Sequence, residues 1–411
     1  MHKLAEILGK EDAAIVVLLS PQSLAAMSLQ LGLPPRGMCR RLSEGLARLS
    51  PQSRVWLLDL SFFIDVHQWI HYMEISANKS GQTLITSECP GWICYLEKVV
   101  KSPVLSLSSR VKTPQMLAGQ ILKRFLMESG YTSEKIFVTS VCPCHDKKLE
   151  TFRPESSLLP NVKEIDLVIS TTEMLEFMKG QAKVFEETRA GDGGRGCWQF
   201  ENMLEARISK GSALTRTELS SLLPYTWQSI PLHSHSDVNS TSNNYLSQLF
   251  LKAVFDKTNK LPAESQLVES LRRGKKGYVE VVYRDEGTGT ETKGARVYGF
   301  KNIQNMIRSL KSQGADSPQY AYIEVMACPG GCYAGGGQVP PKTANADSLA
   351  TECEQTVQAN SQRRYFFQNA LAEKMARETV QGNNHLLPKE SIEYNIRPLV
   401  TEESTAVHFK W

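Results

Sequence analysis

Apolar positions recur along this chain in two ways, as short unbroken runs and as stripes at helical spacing. Ala13 to Leu19 is such a run, short enough for a buried strand. Ser20 and Pro21 follow as cap and first-turn residues, and Leu24, Met27 and Leu31 form a stripe that Gly32 and Pro34–Pro35 end. The pattern then predicts a helix from about Met38 to Leu49, a strand Val55–Leu60 and a helix from about Phe62 to Ile75. Strand alternating with helix implies a parallel sheet covered by helices.

Further strands are expected at Thr83–Ile85, Lys135–Val141, Ile165–Ile169 and Tyr320–Val325. Thr113–Pro114 opens a helix reaching about Glu128, and Ser170-Thr171-Thr172-Glu173 has the form of a capping box for a helix over Met174–Lys179. The pattern weakens from Phe185 to Asn244, which reads as an irregular insertion. An amphipathic helix Tyr245–Phe255, an antiparallel pair Gly277–Tyr283 and Ala295–Phe300, and a helix Asn302–Leu310 follow. After Pro340–Pro341, Glu354 to about Val380 is polar and helical, with Tyr365, Phe366, Leu371 and Met375 available for docking. The expected fold is α/β: two lobes with mostly parallel, twisted sheets flanked by helices, and a helical C-terminal tail. The segments are 1–170, 171–345 and 346–411.

Three of these strands run into cysteine loops. They are Thr86-Ser87-Glu88-Cys89-Pro90-Gly91-Trp92, Val141-Cys142-Pro143-Cys144-His145-Asp146-Lys147-Lys148 and Met326-Ala327-Cys328-Pro329-Gly330-Gly331-Cys332. Strand ends of an α/β sheet are where ligands bind. Cys89, Cys328, Cys332 and either Cys144 or Cys142 would supply four thiolates, the usual complement of a 4Fe–4S cluster. Glycines after Cys328 let backbone approach such a cluster closely. The cluster would sit between the lobes. Cys39, Cys94 and Cys353 read as core or incidental thiols, and a zinc site from Cys197, His233 and His235 is a weaker alternative.

In order and spacing, the three loops resemble the signature loops of iron-only (FeFe) hydrogenases. They are more similar still to the hydrogenase-like, nuclear prelamin A recognition factor-like family of cytosolic iron–sulfur protein assembly. That resemblance implies a 4Fe–4S cluster on Cys89, Cys144, Cys328 and Cys332. It also implies a non-catalytic carrier or adaptor role in maturing extramitochondrial iron–sulfur proteins. The implied partner is a targeting complex that includes a β-propeller protein, and the implied compartment is the cytoplasm, with the nucleus as a second. A hydrogenase-type oxidoreductase is the alternative, and lamin binding a weaker one. Hydrogenases carry a proton-passing cysteine where Glu88 stands and a Met where Cys142 stands, whereas Lys147 matches the lysine that holds the diiron cyanide. The resemblance therefore implies no diiron subsite. It also implies an N-terminal ferredoxin-like cluster, whereas only Cys39 precedes Cys89. The terminal Trp411 is a candidate anchor for the targeting complex.

Composition excludes more than it assigns. A net charge of +4 over 411 residues does not point to nucleic acid. No stretch approaches ~20 apolar residues, so a membrane partner is not expected. Nine cysteines without a secretory signal favour reduced thiols over a disulfide framework.

Overall fold

The computed structural model describes residues 2–78, 82–100, 103–186, 245–259, 267–272, 277–284, 289, 291–313, 320–340, 351–353, 355–356, 366, 370–383, 389–394 and 396. In chain order its strands are β1 (Ala14–Leu19), β2 (Arg54–Asp59), β3 (Leu84–Thr86), β4 (Ile136–Cys142), β5 (Ser157–Leu159), β6 (Val162–Lys163), β7 (Leu167–Ser170), β8 (Leu267–Leu271), β9 (Tyr278–Arg284), β10 (Glu291–Tyr298) and β11 (Tyr322–Met326). One sheet has the order β2-β1-β4-β7 and is parallel throughout. A second has the order β3-β11-β10-β9-β8, in which β3, β11 and β10 are parallel and the last two pairings antiparallel.

Alternation along β1 assigns its faces. Ala14, Val16 and Leu18 join one apolar core, and Ile15, Val17 and Leu19 join another. The second core lies under the helices Pro21–Leu31, Pro35–Leu49 and Thr171–Gly180. The first takes in Phe63 and Trp69 of the helix Ser61–Ala77 and Leu117 of the helix Pro114–Glu128, and continues into the second sheet through Ile85, Val297 and Ile323. One apolar core therefore joins both sheets. Each large side chain buried in it contributes roughly 1.5–3 kcal/mol of transfer free energy.

Local signals held where they were strongest. Ser20 accepts from the Ser23 N–H, and Ser170 and Glu173 form the reciprocal capping box. The tail helix is described over Ala370–Gln381 and packs on Ser61–Ala77, with Phe366 edge-on to Trp69 at 5.2 Å. Three expectations change. Strand β3 pairs with β11, so the first cysteine loop belongs to the second sheet and not to the first lobe; at three residues its apolar pattern suits either sheet. Strand β8 escaped the sequence reading because it is a short edge strand that leaves Val268 and Leu271 exposed, so no buried apolar run marks it. Gly299, at φ +85, ends β10 early, so Phe300 begins the helix Phe300–Gln313. Cys197, His233, His235 and Trp411 lie outside the described residues.

Candidate metal centre

Parallel pairing brings the strand ends together. Thr86 of β3 lies beside Glu324 of β11, so the loops that follow leave from one edge. Cys89 precedes the short helix Pro90–Tyr95, whose first-position proline needs no N–H partner. Ser87 fastens the loop, its hydroxyl donating to the Val325 carbonyl and accepting from the Cys89 N–H. Cys142 ends β4, and Cys144 lies in the loop before the helix Asp146–Glu150. Cys328 follows β11, and Cys332 sits in the helical turn Gly331–Ala334.

The second and third loops meet backbone to backbone. The Gly337 N–H donates to the Pro143 carbonyl at 2.9 Å. A Cβ on Gly335 would stand 2.1 Å from that same oxygen, so only glycine permits the contact. Gly91 in the first loop meets Asp146 of the second in the same way, since a Cβ there would lie 2.5 Å from the carboxylate.

The thiols of Cys89, Cys144, Cys328 and Cys332 feel one another's charge: Cys89 acts on the other three, and Cys144 acts also on Cys332. Burial pushes all four up, Cys328 to about 11, and the neighbouring thiols push Cys144, Cys328 and Cys332 further. Cys142, which burial pushes up to about 11, turns its sulfur back to the Cys144 carbonyl at 3.5 Å. Cys142 also acts on Cys144 and so belongs to the same neighbourhood, but its sulfur is the one hydrogen-bonded to a loop carbonyl.

A scaffold of charged and polar groups surrounds the thiols. Lys147 donates to the Glu88 carbonyl at 2.7 Å and lies 3.9 Å from the Glu150 carboxylate. Burial alone would lower this lysine, but Glu150, Glu88 and Cys332 outweigh it and keep the ammonium well above its ordinary value. Glu150 accepts from Gln115 at 2.6 Å and from the Tyr394 hydroxyl. Sequence reading named Glu88 and Lys147, but it gave no role to Glu150, Asp146 or Tyr394. Tyr394 could not be found by spacing, because it arrives from 244 positions away.

Among the described residues no three His, Cys, Asp or Glu side chains are placed to hold a single metal ion. An iron–sulfur cluster makes a different demand, since each thiolate binds its own iron and the donors stand further apart. The residues fit that group: four free thiols from three loops, Cys89 buried and the other three half-buried, with backbone drawn close by glycine. Bound there, the cluster would supply iron in place of the thiol protons and relieve the penalty of burying thiolate charge.

Residues 13–336 match the family of the iron only hydrogenase large subunit, C-terminal domain. The chain belongs to that family. Among curated relatives, the probable cytosolic Fe-S cluster assembly factor oxy-4 of Caenorhabditis elegans is 29% identical over 80% of this chain and 64% of its own length. Protein NAR1 of Arabidopsis thaliana is 28% identical, covering 81% of this chain and 66% of its own. The chain therefore spans about two thirds of the length of these relatives. Cytosolic Fe-S cluster assembly factor narfl of Danio rerio is 27% identical over 86% of this chain and 78% of its own length. Among solved structures, a variant of the apo FeFe-hydrogenase HydA1 of Chlamydomonas reinhardtii aligns with a TM-score of 0.69, covering 97% of this chain and 98% of that one at 18% identity. A likeness at that identity establishes the fold: the two sheets with flanking helices are those of the hydrogenases. No helix among the described residues is long and apolar enough to cross a membrane.

Proposed function

We propose that this protein binds a 4Fe–4S cluster through Cys89, Cys144, Cys328 and Cys332 and serves as a carrier or adaptor in cytosolic iron–sulfur protein assembly. The observation that carries this reading is the approach of four free thiols, one buried and three half-buried, on three strand-end loops. The assembly-factor names of its relatives supply the process. Its partners on this reading are the targeting complex with a β-propeller protein, and its place is the cytoplasm.

The hydrogenase fold favours one rival reading, an oxidoreductase acting on hydrogen. Two residues argue for the carrier. Glu88 stands where a hydrogenase has its proton-passing cysteine, and the Glu88 carboxylate lies against Cys332. Cys142 replaces the expected methionine, and its thiol is directed to backbone rather than to a second metal site.

Anaerobic reconstitution tests the proposal. About four irons and four sulfides per chain are expected, as four thiolates require, together with an EPR signal on reduction and no hydrogen uptake with a viologen dye. A chain that binds no iron overturns the cluster. Hydrogen uptake after expression in a host able to mature hydrogenases overturns the non-catalytic role.

A further inference from the structure

Cys332 differs from the other three thiols in what faces its sulfur. Cys89 faces the backbone N–H groups of Ala327 and Trp92, Cys144 that of Asp146, and Cys328 that of Gly336. Such donors favour a thiolate in place. The Cys332 thiol instead donates to Oε1 of Glu88 at 3.5 Å, a carboxylate brought by another loop. Glu88 is 6% exposed, so its side chain is held inside the site. Lys147 anchors it from behind, through the bond from Nζ to the Glu88 carbonyl at 2.7 Å.

That separation has a chemical meaning. A sulfur and an oxygen bound to one tetrahedral metal ion stand roughly 3.5 Å apart, from bond lengths of about 2.3 and 2.1 Å. Glu88 and Cys332 stand at that spacing. An iron bound at Cys332 would therefore lie within reach of the Glu88 carboxylate.

We propose that Glu88 is an exchange ligand for the iron held at Cys332. An Fe–O bond to the carboxylate forms as the Fe–S bond to Cys332 breaks, and the freed thiolate takes a proton from water. No electron moves. One corner of the cluster is thereby held by either of two donors, which opens a route for handing the cluster on. This rests on the cluster reading above.

The test compares the full chain with Cys332→Ala, Cys89→Ala, Glu88→Gln and the double variant Glu88→Ala with Cys332→Ala, all reconstituted anaerobically. Iron and sulfide content, EPR after reduction and the thermal unfolding of each iron-free form are measured. Cys332→Ala should keep most of its iron, with an altered EPR spectrum from one oxygen ligand. Cys89→Ala and the double variant should each keep less than about a tenth. A Cys332→Ala chain that is folded yet as poor in iron as Cys89→Ala overturns the proposal. In Glu88→Gln, with all four thiols intact, iron loss to a chelator should slow about tenfold; an unchanged rate overturns the proposal even if the alanine variants fail to fold. Wild-type chain without iron would overturn the cluster reading and this inference together, which separates the two failures.

Discussion

Asp59, at the end of β2, accepts from the backbone N–H and the hydroxyl of Ser61, both at 2.8 Å, through one carboxylate oxygen. Its other oxygen is buried without a partner. Burial outweighs the two bonds and pushes the carboxyl up to about 6. A carboxyl that binds its proton more tightly when folded makes the folded state lose stability as pH rises from its ordinary value of 3.8 through about 6. Asp59→Asn should flatten stability over that window and raise it at pH 7 by about 1–3 kcal/mol, since one unit is worth about 1.4 kcal/mol. Denaturant melts at pH 4 and pH 7 check this, and an unchanged slope refutes it. The same scale decides between the two cysteines of the second loop. Cys144→Ser should abolish iron binding on reconstitution and Cys142→Ser should leave it, because the Cys142 thiol is directed to the Cys144 carbonyl. The reverse result would move the ligand to Cys142.

Among the elements, the helix Thr171–Gly180 depends on its first turn. Glu173 accepts from the Ser170 N–H at 2.8 Å while Ser170 accepts from the Glu173 N–H, and Lys148 donates to both Glu173 oxygens at 2.6 and 2.7 Å. That contact ties the helix start to the loop of Cys144. Burial would raise Glu173, but the bonds from Lys148 and Ser170 prevail and bring it down to about 2. Its contribution is therefore present above its ordinary value of 4.5 and is lost as pH falls toward about 2. Glu173→Ala should lower unfolding stability by about 1–2 kcal/mol at neutral pH, the usual cost of a lost cap. Equal stability of the two proteins in urea at pH 7 would show that the box contributes nothing. A second support comes from the segment 389–394, where Lys112 N–H donates to the Ile392 carbonyl and Tyr394 N–H to the Arg110 carbonyl. This seats Tyr394 over Glu150 and so behind Lys147.

At the level of the whole molecule, the thiols come from both sheets: Cys144 follows β4 of the first, and Cys89, Cys328 and Cys332 follow β3 and β11 of the second. A cluster bound by all four would cross-link the lobes, and metal binding free energy is then folding free energy. Cys328→Ser should lower the thermal midpoint and the soluble yield of protein made with iron supplied. An iron-free Cys328→Ser chain that melts like loaded wild type would refute a structural role for the cluster.

The chain's own pattern determined most strands and helices of the two main sheets, the caps at Ser20 and Ser170, and the three cysteine loops with their candidate ligands. These depend on residues within a few positions of one another, where periodicity, capping chemistry and turn residues act. Tertiary structure alone decided that β3 joins the second sheet, that the Cys142 sulfur bonds the Cys144 carbonyl, and that Glu88 lies on Cys332. The first and last of these depend on groups some 240 positions apart, such as Glu88 and Cys332 at a separation of 244. Side-chain patterns do not record such pairings. They follow from which strand edges are open and from which loops a shared apolar core draws together.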